Sequence, residues 1–178
     1  VASATGSANP SRQVVPMGSV TDGTVSVAIR VRPTSSPGWK TGFAFRYHDD
    51  QNHYLLQMSE TQLQLIRIVE GTATSLWSTA MTFDTNTWYR VEVAVSGPLF
   101  TVSVDSVLKT LTPVSDETFA HGQIVLTARD AAAVDFDTIA FTGLVSFSWN
   151  FDSGETPGVP ARGWRRLGTD DLPSGATR

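Results

Sequence analysis

The chain contains no cysteine, which excludes both a disulfide framework and thiol chemistry. It has almost no lysine: two, against eleven arginines. Charged residues make up only 17% of the 178 positions and the formal net charge is −4. No basic run stands out, so the electrostatic footprint of a nucleic-acid binder is missing. No window reaches the roughly eighteen consecutive apolar residues of a spanning helix, and membrane insertion is not expected. No signal-peptide pattern opens the chain; a secreted form would have lost its signal or carry it outside this sequence. Also absent is any stretch with a helical apolar stripe over three turns.

What is present has a period of two. In Thr24–Arg32, Val25, Val27, Ile29 and Val31 point one way while Ser26, Ala28, Arg30 and Arg32 point the other. Further strands are expected over Thr41–Tyr47, His53–Ser59, Leu63–Glu70, Ser75–Thr79, Trp88–Ser96, Leu99–Val107, Leu108–Leu111, Gly122–Arg129 and Ala133–Phe141. Asp49-Asp50-Gln51-Asn52, Glu70-Gly71-Thr72 and Asp105-Ser106 supply turns. Val1–Pro16 is small, polar and proline-marked, with no strand pattern. Strands of this length, with turn signals every eight to twelve residues, predict an all-β, two-sheet antiparallel sandwich. The chain is long enough for one full core, so 1–178 reads as a single domain. Gly143–Arg178 differs in texture. Its aromatics, Phe147, Trp149, Phe151 and Trp164, predict a tail that packs back, with Val145–Phe151 pairing in a sheet.

Several pieces in order carry a family resemblance. They are Gly42-Phe43-Ala44-Phe45-Arg46-Tyr47, Asn52-His53-Tyr54-Leu55-Leu56, Leu65-Ile66-Arg67, Thr87-Trp88-Tyr89-Arg90-Val91-Glu92-Val93, Phe100 to Asp105, Gly122 to Leu126, and Phe136-Asp137-Thr138-Ile139. Together, Thr41–Phe141 resembles the concanavalin/laminin-G-like jelly roll of bacterial glycan-active proteins. That resemblance implies one concave and one convex sheet, an extracellular or cell-surface setting, and membership of a larger chain with other domains. In the family a segment like Asn150-Phe151-Asp152-Ser153-Gly154, followed by Gly163-Trp164, opens the domain, whereas here it closes the chain. A circularly permuted order is therefore expected, with 143–178 supplying the family's usual first strand beside Ala133–Phe141. The family also often holds a structural Ca²⁺ where opening and closing strands meet, which would place Asp135, Asp137 and Asp152 around the ion.

Arginines recur inside the strands. Arg46, Arg67, Arg90 and Arg129 on one concave sheet would suit an acidic polysaccharide or oligosaccharide, since guanidinium forks match carboxylates. Ordinary solvated faces with cross-strand ion pairs fit the same pattern. Trp39, in a Pro/Gly loop, and Tyr54 are candidates to stack on sugar rings, with His53 beside them. Alternation places Tyr47 with Phe43 and Phe45 in the core; Trp77 reads as core too, and the resemblance does the same for Trp88. His48 and His53 flank Asp49 and Asp50 at a spacing that matches no zinc motif.

Catalysis has little to stand on. The Glu-x-Asp-x-x-Glu strand of laminarinase-like relatives is missing, and no Ser/His/Asp order, phosphate loop or dinucleotide fingerprint is visible. A lyase arrangement of Tyr54, His53 and Arg46 stays open. The expected function is a non-catalytic carbohydrate-binding module of a larger secreted protein. A polysaccharide lyase or glycoside hydrolase domain and a structural or adhesion module are the alternatives.

Overall fold

Alternation decides which side of each strand is dry, and the dry sides face one another. In a computed structural model, residues 2–5, 11–16, 18–130 and 132–146 are described. Among them are thirteen strands and no helix. In chain order these are β1 (Ala2–Thr5), β2 (Ser11–Val14), β3 (Ser19–Val31), β4 (Lys40–Asp49), β5 (Asn52–Ser59), β6 (Gln62–Val69) and β7 (Thr72–Ala80). They continue as β8 (Trp88–Ser96), β9 (Leu99–Val104), β10 (Val107–Leu108), β11 (Val114–Ser115), β12 (Gln123–Arg129) and β13 (Ala133–Ser146).

Two antiparallel sheets form the sandwich. One is seven-stranded, ordered β1-β13-β3-β8-β9-β10 with β11 also on β9; the other is six-stranded, ordered β2-β12-β4-β5-β6-β7. From the first sheet the core takes Val25, Val27, Ile29, Val31, Val91, Val93, Phe100, Val102, Val104, Val134 and Phe136. From the second it takes Phe43, Phe45, Tyr54, Leu56, Met58, Leu63, Leu65, Ile124, Leu126 and Ala128. The expected jelly-roll sandwich is therefore the observed fold, and the strand at Trp88–Ser96 has the expected ends.

Turn chemistry accounts for the tight hairpins. Asp105 and Ser106 both have positive φ (51° and 64°), as do Glu70 and Gly71 (49° and 76°). That is the type I′ geometry whose twist matches the strands it joins.

Three stretches depart from expectation. The first sixteen residues carry two short strands after all. β1 lies along Ala133–Phe136 of β13, and β2 lies along β12. Both are sheet edges, where one neighbour supplies the pairing and no apolar alternation is required. At the other end, Val145 and Ser146 extend β13 and pair with Val20 and Ser19. Residues from 147 onward lie outside the described residues, and with them Phe147, Trp149, Phe151, Asp152 and Trp164. The third departure is in β4. Arg46 adopts a left-handed φ of 45°, and the β4–β5 ladder is irregular between Phe45 and Asp49. Against β12 the register shifts by one residue between Ala44 and Tyr47, which reverses the facing of Tyr47. Gly122 accommodates this kink: at φ +153°, a Cβ on it would meet the Arg46 carbonyl carbon at 2.4 Å.

Candidate functional site

The bulge at Arg46 sends its side chain inward, where alternation would have sent it outward. The residue is 3% exposed and its guanidinium stands over the Phe100 ring at 5.6 Å. Nη1 donates to the Phe119 carbonyl (2.7 Å); Nη2 donates to the Gly97 carbonyl (3.0 Å) and the Asp22 carboxylate (3.1 Å). Arg67 lies opposite Tyr54 on the same inner side. Both reach Asp116. Tyr54 donates its hydroxyl to one carboxylate oxygen (2.6 Å) and Arg67 Nη1 donates to the other (2.7 Å). The Phe119 N–H donates to the Tyr54 oxygen (3.2 Å), and Thr118 N–H donates to Asp116 (3.0 Å).

Burial, with the Asp116 charge behind it, pushes the Tyr54 phenol up to about 12. Burial would raise Asp116 as well, but bonds from Thr118 and Tyr54 and the Arg67 charge outweigh it and hold the carboxyl low. Arg46, Tyr54 and Arg67 are thus brought together, yet as a clasp that ties the 116–121 loop over one end of the core. The Nη donors of Arg46, the Tyr54 hydroxyl and Arg67 Nη1 are all engaged by the protein itself, which favours a structural role for the cluster.

Other expectations are corrected for similar reasons. Trp39 is 2% exposed and packs in the core. Gly38, at φ +83° with its N–H on the Glu60 carboxylate (2.8 Å), turns the chain so that the indole goes inward. Tyr47, expected in the core, is turned out by the bulge and sits against the His53 ring with centroids 5.2 Å apart. Trp88 shares the phase of Arg90 and Glu92, opposite Val91 and Val93. It is accordingly 38% exposed on the outer side of the seven-stranded sheet. Trp77 does pack against the core. Arg90 belongs to β8 and so stands on the other sheet from Arg129. His53 and Tyr54 are consecutive and face opposite ways. The lyase arrangement of Tyr54, His53 and Arg46 therefore does not assemble.

Of the three expected calcium residues, Asp152 lies outside the described residues, and the surroundings of Asp135 do not suit a cation. Asp135 is 1% exposed, and its two oxygens are taken by Arg30 (2.7 and 3.1 Å) and by Arg32. A divalent cation there would face two guanidinium charges. Asp137 accepts the Thr138 N–H (2.8 Å), and no group of three or more metal-ligating side chains occurs among the described residues.

What remains is the outer face of the six-stranded sheet. Register aligns Arg12, Thr127, Gly42, Gln57 and Gln64 in one row and Val14, Val125, Ala44, Leu55 and Ile66 in the next. Gly42, Ala44, Leu55, Gln57, Val125 and Thr127 point away from the core and are nevertheless buried, which makes them the floor of a trough. Gly42 is required there, since a Cβ would fall 2.0 Å from the Leu56 carbonyl oxygen. Arg12 on this face pairs with Asp50, and Arg129 stands one step further along β12, in register with Lys40. No carboxylate pairs with Arg129 among the described residues, and its Nε is buried without a partner.

His53 lies in the same face. Its Nδ1 meets the Asp49 carbonyl at 2.9 Å and must donate, which leaves Nε2 as an acceptor. Burial holds the imidazole below its ordinary pKa, and the Arg12 and Arg129 charges add to that effect. Arg129 pairs in register with Lys40, far along the strands from His53. Two guanidinium groups, a neutral imidazole, a tyrosine and a glutamine pair thus line a floor of short side chains. Of the predicted ligand residues, Arg129 and His53 belong to it; Arg12 and Tyr47 were missed. Arg12 sits in a stretch without strand pattern, and Tyr47 is revealed only by the bulge.

The family described as Laminin_G_3, Concanavalin A-like lectin/glucanases superfamily, matches residues 7–146. No curated protein sequence matches the chain. Among solved structures, carbohydrate binding module CBM66 from Bacillus subtilis is similar with a TM-score of 0.65 and 22% identity, over 73% of this chain and 80% of that one. A prokaryotic β-1,3-1,4-glucanase (lichenase) derived from a mouse hindgut metagenome follows at 0.56 and 12%, over 69% and 67%. Sheep galectin-11 gives 0.51 and 10%, over 72% and 97%. At these identities the likeness is one of fold. No helix among the described residues is long and apolar enough to cross a membrane.

Proposed function

Because this chain belongs to the concanavalin A-like lectin/glucanase superfamily, we propose that it is a non-catalytic carbohydrate-binding module whose contact surface is the trough of the six-stranded sheet. In this reading the ligand is an acidic glycan, and the module serves a larger extracellular protein. The observation that carries the proposal is Arg129: among the described residues no carboxylate pairs with its guanidinium, and its Nε, like that of Arg12 on the same sheet, is buried without a partner. A buried-side donor left unpaired is costly, and an incoming uronate or sulfate would supply the missing acceptor. Arg12, in register with Thr127 on the same sheet, offers a second guanidinium. Tyr47 offers an aromatic edge, and Gln57 and Gln64, 3.4 Å apart, offer amides to hydroxyl groups.

The reading excludes a catalytic role for Tyr54, whose hydroxyl is raised to about 12 and committed to Asp116. Binding to a panel of uronate-containing, sulfated and neutral polysaccharides at low and high salt tests it. Retention on an acidic glycan should weaken as salt rises, because partly exposed ion pairs are screened. Arg129→Gln should cost about tenfold or more in affinity, the worth of one charge-assisted hydrogen bond. Unchanged affinity of that variant would retire the trough.

A further inference from the structure

The outer face of the seven-stranded sheet holds an exposed aromatic that the trough does not use. Trp88, at the start of β8, is 38% exposed and pairs in register with Arg30 of β3. The Arg30 guanidinium covers one side of the indole at 4.8 Å from the ring centroid. Arg30 is itself fixed, because Nε and Nη2 donate to the buried Asp135 at 3.1 and 2.7 Å, while Arg32 holds the other carboxylate oxygen. Indole, guanidinium and buried carboxylate form a stack anchored in the sheet. The platform is therefore set before any ligand arrives, and little side-chain entropy is left to lose.

Charge separates this face from the trough. Each of its guanidinium groups already stands beside a carboxylate. Arg30 and Arg32 share Asp135, and Arg90 lies 3.8 Å from Glu92. Hydroxyls fill the rest: Ser26 accepts from Arg90 Nε (3.0 Å) and Ser103 donates to Glu92 (3.3 Å). An anion gains little here. An uncharged ring with one apolar C–H side and a rim of hydroxyls gains stacking on the indole together with donors and acceptors around it.

We propose that Trp88, backed by Arg30, is a second carbohydrate-contacting site, specific for the apolar side of a neutral hexopyranose. It stands on a different sheet and a different observation from the trough, so the two can fail separately. Affinity gel electrophoresis in soluble β-1,3-glucan, hydroxyethyl cellulose, mannan and galactan tests it, with wild type, Trp88→Ala and Arg129→Gln run together. Wild type should be retarded by at least one of these uncharged polymers, with no response to salt. Trp88→Ala should lose at least fivefold of that retardation while its melting temperature holds, and Arg129→Gln should keep it. Equal retardation of wild type and Trp88→Ala overturns the proposal, as does free migration of wild type in all four polymers.

Discussion

The clasp over the end of the core makes a sharp energetic prediction. Asp116 holds Tyr54 at 2.6 Å and Arg67 at 2.7 Å, and its side chain is 8% exposed against 31% for Arg67. A fully exposed pair would couple by well under 1 kcal/mol, while breaking a fully buried one costs about 3–5 kcal/mol. This pair is half-wet, so Asp116→Ala should destabilise by about 2–3 kcal/mol, much of it from stranding the Tyr54 hydroxyl. A double-mutant cycle with Arg67→Ala should return a coupling of about 1–2 kcal/mol. Urea unfolding provides the measurement, as a shift in midpoint at constant slope.

The sign of the pH dependence follows. Asp116 is held below its unfolded value, so its contribution is complete above that value, near pH 4. It drains away as pH falls through the folded value, and wild type and Asp116→Asn should converge in acid. Arg67→Ala should leave retention on acidic glycans unchanged. A coupling below about 0.3 kcal/mol would refute the clasp, since additivity within that margin is what independent sites show.

Trp39→Ala should cost about 3–5 kcal/mol, as a large aromatic leaves the core, whereas Trp88→Ala should cost under about 1 kcal/mol; parallel denaturation curves check the contrast. His53 should titrate below the ordinary histidine value in an NMR pH series. Its lowered folded value means stability is full above about pH 6.5 and falls as acid charges the unfolded chain first. Gly42→Ala should abolish the folded state or cost more than about 4 kcal/mol, given a Cβ 2.0 Å from a carbonyl oxygen at φ +153°; circular dichroism melting decides it.

The sandwich was legible because alternation needs only neighbours in sequence. Val25 to Val31 state their own facing, and the structure agrees. The site was less legible for a different reason. Facing beyond Phe45 depends on one left-handed residue, and no feature of Arg46 as a residue type announces φ 45°. Arg46 and Tyr47 therefore exchanged sides relative to expectation. Trp88 shows the converse. Its own alternation with Val91 and Val93 places it outside, and the family resemblance placed it inside; the local pattern was the better guide. Arg129 was found from its strand, but that no carboxylate pairs with it among the described residues is a fact of three dimensions.

The kink at Arg46 has a practical consequence. Because it turns Tyr47 toward His53 and Asp50 rather than the core, a substitution at residue 46 or at its partner Gly122 should swing the hairpin tip out of place with no change at the tip itself.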